Sequence, residues 1–173
     1  MLPNGSAKSL NFGYGSGMVK AFQGWDTVCL DAEGEFCGHD TMFGNVVHTG
    51  LPGLNADGII GLGPEGDPTM EGVMSEPFLP TLKKKGAIDH AVFSMFIQTG
   101  DAANAITLGG FDTDKYGAPG SELQWHDTTR PGMWMLDLTA DPAFGEAKMH
   151  NTGIKRVLID SGASMVIFPR VMR

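Results

Sequence analysis

Cysteine is scarce: Cys29 and Cys37 are the only two among 173 residues. They flank a Gly-containing acidic stretch, LDAEGEF, that reads as a hairpin turn. The pair therefore either faces across that hairpin as a disulfide or stays as two free core thiols in a reducing compartment. Two cysteines and the scattered histidines 39, 48, 90, 126 and 150 give no ligand spacing for zinc. Long hydrophobic runs are also missing. No apolar stretch reaches the roughly 18 residues that a membrane-spanning helix needs, and the opening MLPNGSAKSL lacks the apolar core of a signal peptide. The expectation is a protein that is not secreted, or one whose true start lies upstream. Positive charge is short as well, with 12 Lys and Arg against 20 Asp and Glu and a net charge of -8. That balance argues against nucleic acid as the main partner, because neutralising phosphates takes a basic face. The one basic cluster, Lys83 to Lys85, reads as a solvated helix end.

What is present is small and turn-forming. The 25 Gly and 10 Pro, with 42% apolar residues in short runs, favour short strands joined by tight turns around a modest core. Strand-like segments are SLNFGYGSGMVKAFQGWDTVCL, EFCGHDTMFGNVVHT, AVFSMFIQT, NAITLGGF, ELQWHDT, MWMLDLTA and RVLIDSG. Two stretches depart from this pattern. PFLPTLKKKGAI, residues 77–88, places Phe78, Leu79 and Leu82 on one helical face and stops at Lys-Gly, which predicts a short helix with a Gly cap. The closing PRVMR predicts the start of another, with Pro169 in its first turn. No internal repeat and no low-complexity linker divides the chain.

Several motifs have bland readings that win. Gly13 to Gly17, GYGSG, lacks the Lys-Ser/Thr of a phosphate loop and reads as a hairpin tip. DTDKYG, from Asp112, begins like a calcium loop but carries Tyr116 at a ligand position and Leu123 where the bidentate Glu belongs. Asn4-Gly5-Ser6 has the form of a glycosylation sequon. GMWML, with Trp134, reads as a packed strand.

Asp160 is harder to dismiss. Asp-Ser-Gly after a strand is ordinarily a turn or a helix N-cap. Here the carboxylate stands between Val157-Leu158-Ile159 and the small residues Gly162-Ala163-Ser164, which lead into Met165-Val166-Ile167-Phe168-Pro169. A carboxylate held at the end of an apolar strand by backbone N–H groups is expected to stay ionised while mostly shielded from water, which suits a general base.

VLIDSGASMVIFP closely resembles the second active-site segment of the pepsin-like aspartic proteinases, and other segments resemble that family in the right order. NFGYGSGMVKAFQGWDTV is similar to the flap hairpin, ADGIIGLGP to the hydrophobic-hydrophobic-Gly segment of the first lobe, and FSMFIQ, ITLGGFDTDKY and ELQWHDT to the strands that cross to the second lobe. The resemblance implies an all-β, bilobal pepsin-like fold, here incomplete. Residues 1–115 would be the remainder of the N-terminal lobe and residues 116–173 the beginning of the C-terminal lobe. It implies aspartic endopeptidase chemistry with no metal and no cofactor. The partner would be a peptide or protein substrate in extended conformation. The complete protein would be monomeric and work in vacuolar, lysosomal or secreted settings.

Residue by residue, Asp160 matches the second catalytic aspartate. Ser161 matches the Thr or Ser whose hydroxyl ties the two active loops together. Gly162 and Ala163 match substrate-side positions of that loop. Tyr14 matches the flap tyrosine, with Gly15 and Ser16 beside it offering hydrogen bonds to substrate. Ile59, Ile60 and Gly61 match the segment that braces the first active-site loop. One departure stands out. The family works with two carboxylates that share a proton, yet only 13 residues precede Tyr14, none of them is Asp, and Asp160 heads the only Asp-Ser/Thr-Gly frame in the sequence. The expectation is a piece of a two-lobed enzyme that is inactive alone. A homologue of the same fold that binds peptides without cleaving them is the alternative.

Overall fold

The computed structural model describes residues 7–66, 77–100, 103–150 and 152–168. The sequon at Asn4 and the helix expected at Pro169 lie outside the described residues.

The longest elements form an antiparallel sheet of β1 (Ser9–Tyr14), β2 (Gly17–Cys29) and β3 (Cys37–Thr49), in that order. Period-two patterning explains it. Val19 and Ala21 turn inward from β2 while Lys20 and Phe22 turn outward, and Leu10 faces Ala21 across the ladder. The ladder slips between Lys20 and Ala21 and again between Asp26 and Val28, two bulges that bend a pair of strands 13 residues long. At the far end Cys29 stands opposite Cys37, and the two are joined in a disulfide. In the turn between them, Asp31 accepts backbone N–H bonds from Glu35 at 2.8 Å and Phe36 at 2.7 Å, with Gly34 at φ +79°.

Helix α1 (Phe78–Lys84) packs on the start of β3. Pro80 falls in its first turn, where a missing N–H does no harm. It ends as the Lys-Gly pair predicts: Gly86, at φ +77°, donates to the Lys83 carbonyl and Ala87 to the Leu82 carbonyl. Phe78, Leu79, Leu82 and Ile88 make a buried cluster against which Val28, Leu62, Phe93 and Leu108 pack.

The rest is built from shorter pieces. Strands β4 (Phe93–Phe96) and β5 (Ala105–Leu108) pair antiparallel, and α2 (Thr113–Tyr116) is a single turn whose Lys115 N–H donates to Asp112 Oδ1 at 2.9 Å. β6 (Met135–Asp137) pairs with the later β9 (Arg156–Leu158), and between them β7 (Ala143–Phe144) and β8 (Ala147–Lys148) close a small hairpin. The architecture is therefore rich in β-sheet but not strictly all-β, because the apolar face of residues 78–82 is satisfied only by a helix lying on β3. ELQWHDT forms no strand. It has no ladder partner among the described residues, and Trp125 is held instead by an edge-on contact with Phe111 at 5.9 Å. No described helix is long and apolar enough to cross a membrane.

Candidate active site

Asp160 leaves the sheet immediately after β9. The last rung is the Ile159 N–H donated to the Trp134 carbonyl at 2.9 Å, and beyond it the chain turns on itself. Gly162 N–H donates to Asp160 Oδ1 at 2.9 Å, and Ala163 N–H to the Asp160 carbonyl at 3.2 Å. The carboxylate thus closes its own turn, as a short acidic side chain before a glycine does. Asp160, Ser161, Gly162 and Ala163 come together in this one loop.

The expected shielding of Asp160 does not hold. The carboxylate is exposed, as is every residue from Leu158 to Phe168. The physical reason is the size of its support: β9 has three residues and pairs only with β6, and among the described residues nothing folds over the loop. The Ser161 hydroxyl has no hydrogen-bond partner among the described residues.

Tyr14, Gly15 and Ser16 sit at the tip of the β1–β2 hairpin, where Tyr14 pairs with Gly17 around a two-residue turn. Tyr14 is exposed and Gly15 has open space around it. The root of the tip is tight: Gly50 N–H donates to the Met18 carbonyl at 2.9 Å, and a β-carbon on Gly17 would overlap the Gly50 carbonyl. Among the described residues, no hydrogen bond or ring contact joins this tip to the Asp160 loop.

Ile59 and Ile60 are half exposed, at 50% and 53%, and Gly61 has nothing near its α-carbon's open side. None of the three touches the Asp160 loop through a hydrogen bond. The contact from this segment comes one residue later, at Leu62, whose carbonyl accepts the Trp134 indole N–H at 3.0 Å. A second bond, Gly132 N–H to the Glu65 carbonyl at 2.8 Å, runs alongside. Sequence reasoning placed Trp134 in a packed strand; it lies instead just before β6, 37% exposed, and the seam was missed because its partners lie 72 residues apart. A shallow cleft of about 440 Å³ lies beside β6 and β9, lined by His126, Asp127, Asp137 and Val157 among others. Asp137 there is paired with Arg156 at 3.0 Å. Among the described residues, no cluster of His, Cys, Asp or Glu is arranged to hold a metal ion.

A model of the eukaryotic aspartyl protease family matches residues 4–172. The chain belongs to that family. Individual relatives agree. Pregnancy-associated glycoprotein 2 of Bos taurus is 28% identical over 90% of this chain and 39% of its own length. Pepsin A-5 of Mus musculus is 28% identical over 95% of this chain and 41% of its own. Plasmepsin IV of Plasmodium falciparum is 28% identical over 90% of this chain and 33% of its own. The chain thus spans about two fifths or less of the length of these relatives.

Proposed function

We propose that Asp160 is one member of a carboxylate pair that hydrolyses peptide bonds, with one carboxylate activating water while the other protonates or polarises the carbonyl. The observation that carries this reading is the Asp160-Ser161-Gly162 turn at the end of β9, with its carboxylate oriented by the Gly162 N–H, in a chain of the aspartyl protease family. The substrate is a peptide in extended conformation, covered by the hairpin tip of Tyr14, Gly15 and Ser16. Residues 1–115 belong to one lobe of the enzyme and residues 116–173 to the other, with Ile59, Ile60 and Gly61 bracing the partner loop. The partner carboxylate comes from a second Asp-Ser/Thr-Gly loop that these 173 residues do not contain. The chain by itself is accordingly inactive, because two carboxylates cannot share a proton when one is absent.

The test is acid proteolysis of a denatured protein by the natural full-length product that contains these residues. Turnover should be present there and absent from the 173-residue chain. Asp160→Asn should lower it by about 10²- to 10⁴-fold, the range for removing a general acid or base. Tyr14→Phe should cost less, since the tip shields and positions without exchanging the proton. A full-length protein that binds peptides but cleaves none favours a peptide-binding homologue, a reading prompted by the single Asp-Ser-Gly frame.

A further inference from the structure

Asp160 has little of its own to hold it in place. Its sheet is three rungs long, its loop is exposed, and its turn is closed only from within, by Gly162 N–H on its own carboxylate and Ala163 N–H on its own carbonyl. An acid-base group works only when held close to its productive geometry. Some other residue must therefore supply its position.

Trp134 meets that requirement with three contacts. Its carbonyl accepts the Ile159 N–H at 2.9 Å, the last hydrogen bond before the chain leaves the sheet toward Asp160. Its indole N–H donates to the Leu62 carbonyl at 3.0 Å, and its ring meets Phe93 edge-on at 5.9 Å between centroids. Leu62 and Phe93 both pack against the buried cluster of α1. A single residue thus connects the strand end that carries Asp160 to the best-packed part of the molecule. The parallel bond from Gly132 to Glu65 keeps the two segments side by side; Gly132 sits at φ +74°, and a β-carbon there would press on Gly66 at 3.0 Å.

We propose that Trp134 is a positioning residue for Asp160, fixing the height and direction of the Asp160 loop through its indole bond to the Leu62 carbonyl. Only the kinetic consequence rests on the protease reading; the structural consequence stands apart from it. Losing the indole N–H leaves β6 and β9 paired but frees the seam to slide, and the Gly162 bond to Asp160 is the first to feel it.

Amide and indole hydrogen exchange followed by NMR on the 173-residue chain tests this directly. In the parent protein the Trp134 indole proton should exchange more slowly than that of Trp125, which is 74% exposed. Equal rates overturn the proposal, and this arm needs no variant to fold. In Trp134→Phe, which keeps a ring but loses the donor, the Gly162 amide should shift and exchange several-fold faster, whereas Trp125→Phe leaves it unchanged. A Gly162 amide that ignores Trp134→Phe overturns the proposal. In the full-length protein, Trp134→Phe should lower kcat by roughly tenfold to a hundredfold, the scale of a slight misplacement, with KM nearly unchanged. An unchanged kcat, or an equal rise in KM, counts against Trp134 as a positioning residue. A full-length parent with no Asp160-dependent turnover refutes the protease reading instead, and the exchange measurements then decide the role of Trp134.

Discussion

Residues 9–88 carry strands of up to 13 residues and residues 116–168 strands of two or three, and among the described residues only the first region buries anything completely. Among the described residues, every buried side chain lies between Leu10 and Ile88. The first region has a three-stranded sheet, a helix laid on it and a disulfide at its end; the second has two ladders of three and two rungs and an exposed loop. The residue with the clearest chemical signature, Asp160, sits in the second. The best-packed cluster and the candidate catalytic carboxylate thus lie in different regions, and the Trp134 seam joins them.

The comparison is broken most severely at Leu82, fully buried in the α1 cluster. Leu82→Ala should cost about 2–5 kcal/mol, a large share of the stability of an ordinary domain. Ile167→Ala, at a side chain 78% exposed, should change stability by less than about 0.5 kcal/mol. Chemical denaturation of the two variants gives the contrast. Similar losses from both would mean that the second region is packed in solution.

The disulfide comes next. Its cysteines are 8 apart in sequence and directly opposed across the ladder. Chain-entropy reasoning gives such a loop about 2–3 kcal/mol. Replacing both cysteines with alanine should lower the denaturation midpoint accordingly and loosen amide protection near residues 26–41, while the Gly162 amide stays as it was. A smaller, local effect is expected at the hairpin root. Gly17→Ala forces a β-carbon onto the Gly50 carbonyl, a backbone group that cannot swing away, and should cost about 1–3 kcal/mol. Gly15→Ala, two residues off in open space, is the control and should be nearly silent.

The same division governs what could be read from the sequence. Alternation in residues 9–49 is long enough to show strands, and Phe78, Leu79 and Leu82 at helical spacing show the helix, because each pattern reports a face that is in fact buried. In the second region the signals weaken. ELQWHDT alternates without a partner strand, and the β7–β8 hairpin is too short for any period to register; only Gly145, at φ +55°, marks its turn. The turn at Asp160 was legible because Asp-Ser-Gly after an apolar strand is a local signature. Its exposure was not, since burial depends on what packs from elsewhere. Trp134 illustrates the same limit: a tryptophan at the edge of a strand is ordinary, and nothing local announces a carbonyl 72 residues away.

The smallest expected effect compares two carboxylates that each close a turn, the exposed Asp160 and the half-buried Asp31. Asp160 accepts one backbone N–H, from Gly162, whereas Asp31 accepts two, from Glu35 and Phe36. Those two donors, Glu35 first, hold the Asp31 carboxyl below its ordinary value of 3.8. A carboxyl whose pKa is depressed by folding contributes stability above its unfolded pKa, and loses it as pH falls through the lower folded value. Screening by the nearby solvent keeps that contribution slight. Asp31→Asn keeps one acceptor oxygen but removes the charge, so it should be slightly less stable than the parent at neutral pH. The gap should close as both are taken to a pH well below the ordinary carboxyl value, because protonated Asp31 is then as neutral as the amide. Thermal unfolding of the pair across that acid range gives the answer. A gap that persists at low pH would mean that the side chain's shape, not its charge, orders the turn between Cys29 and Cys37.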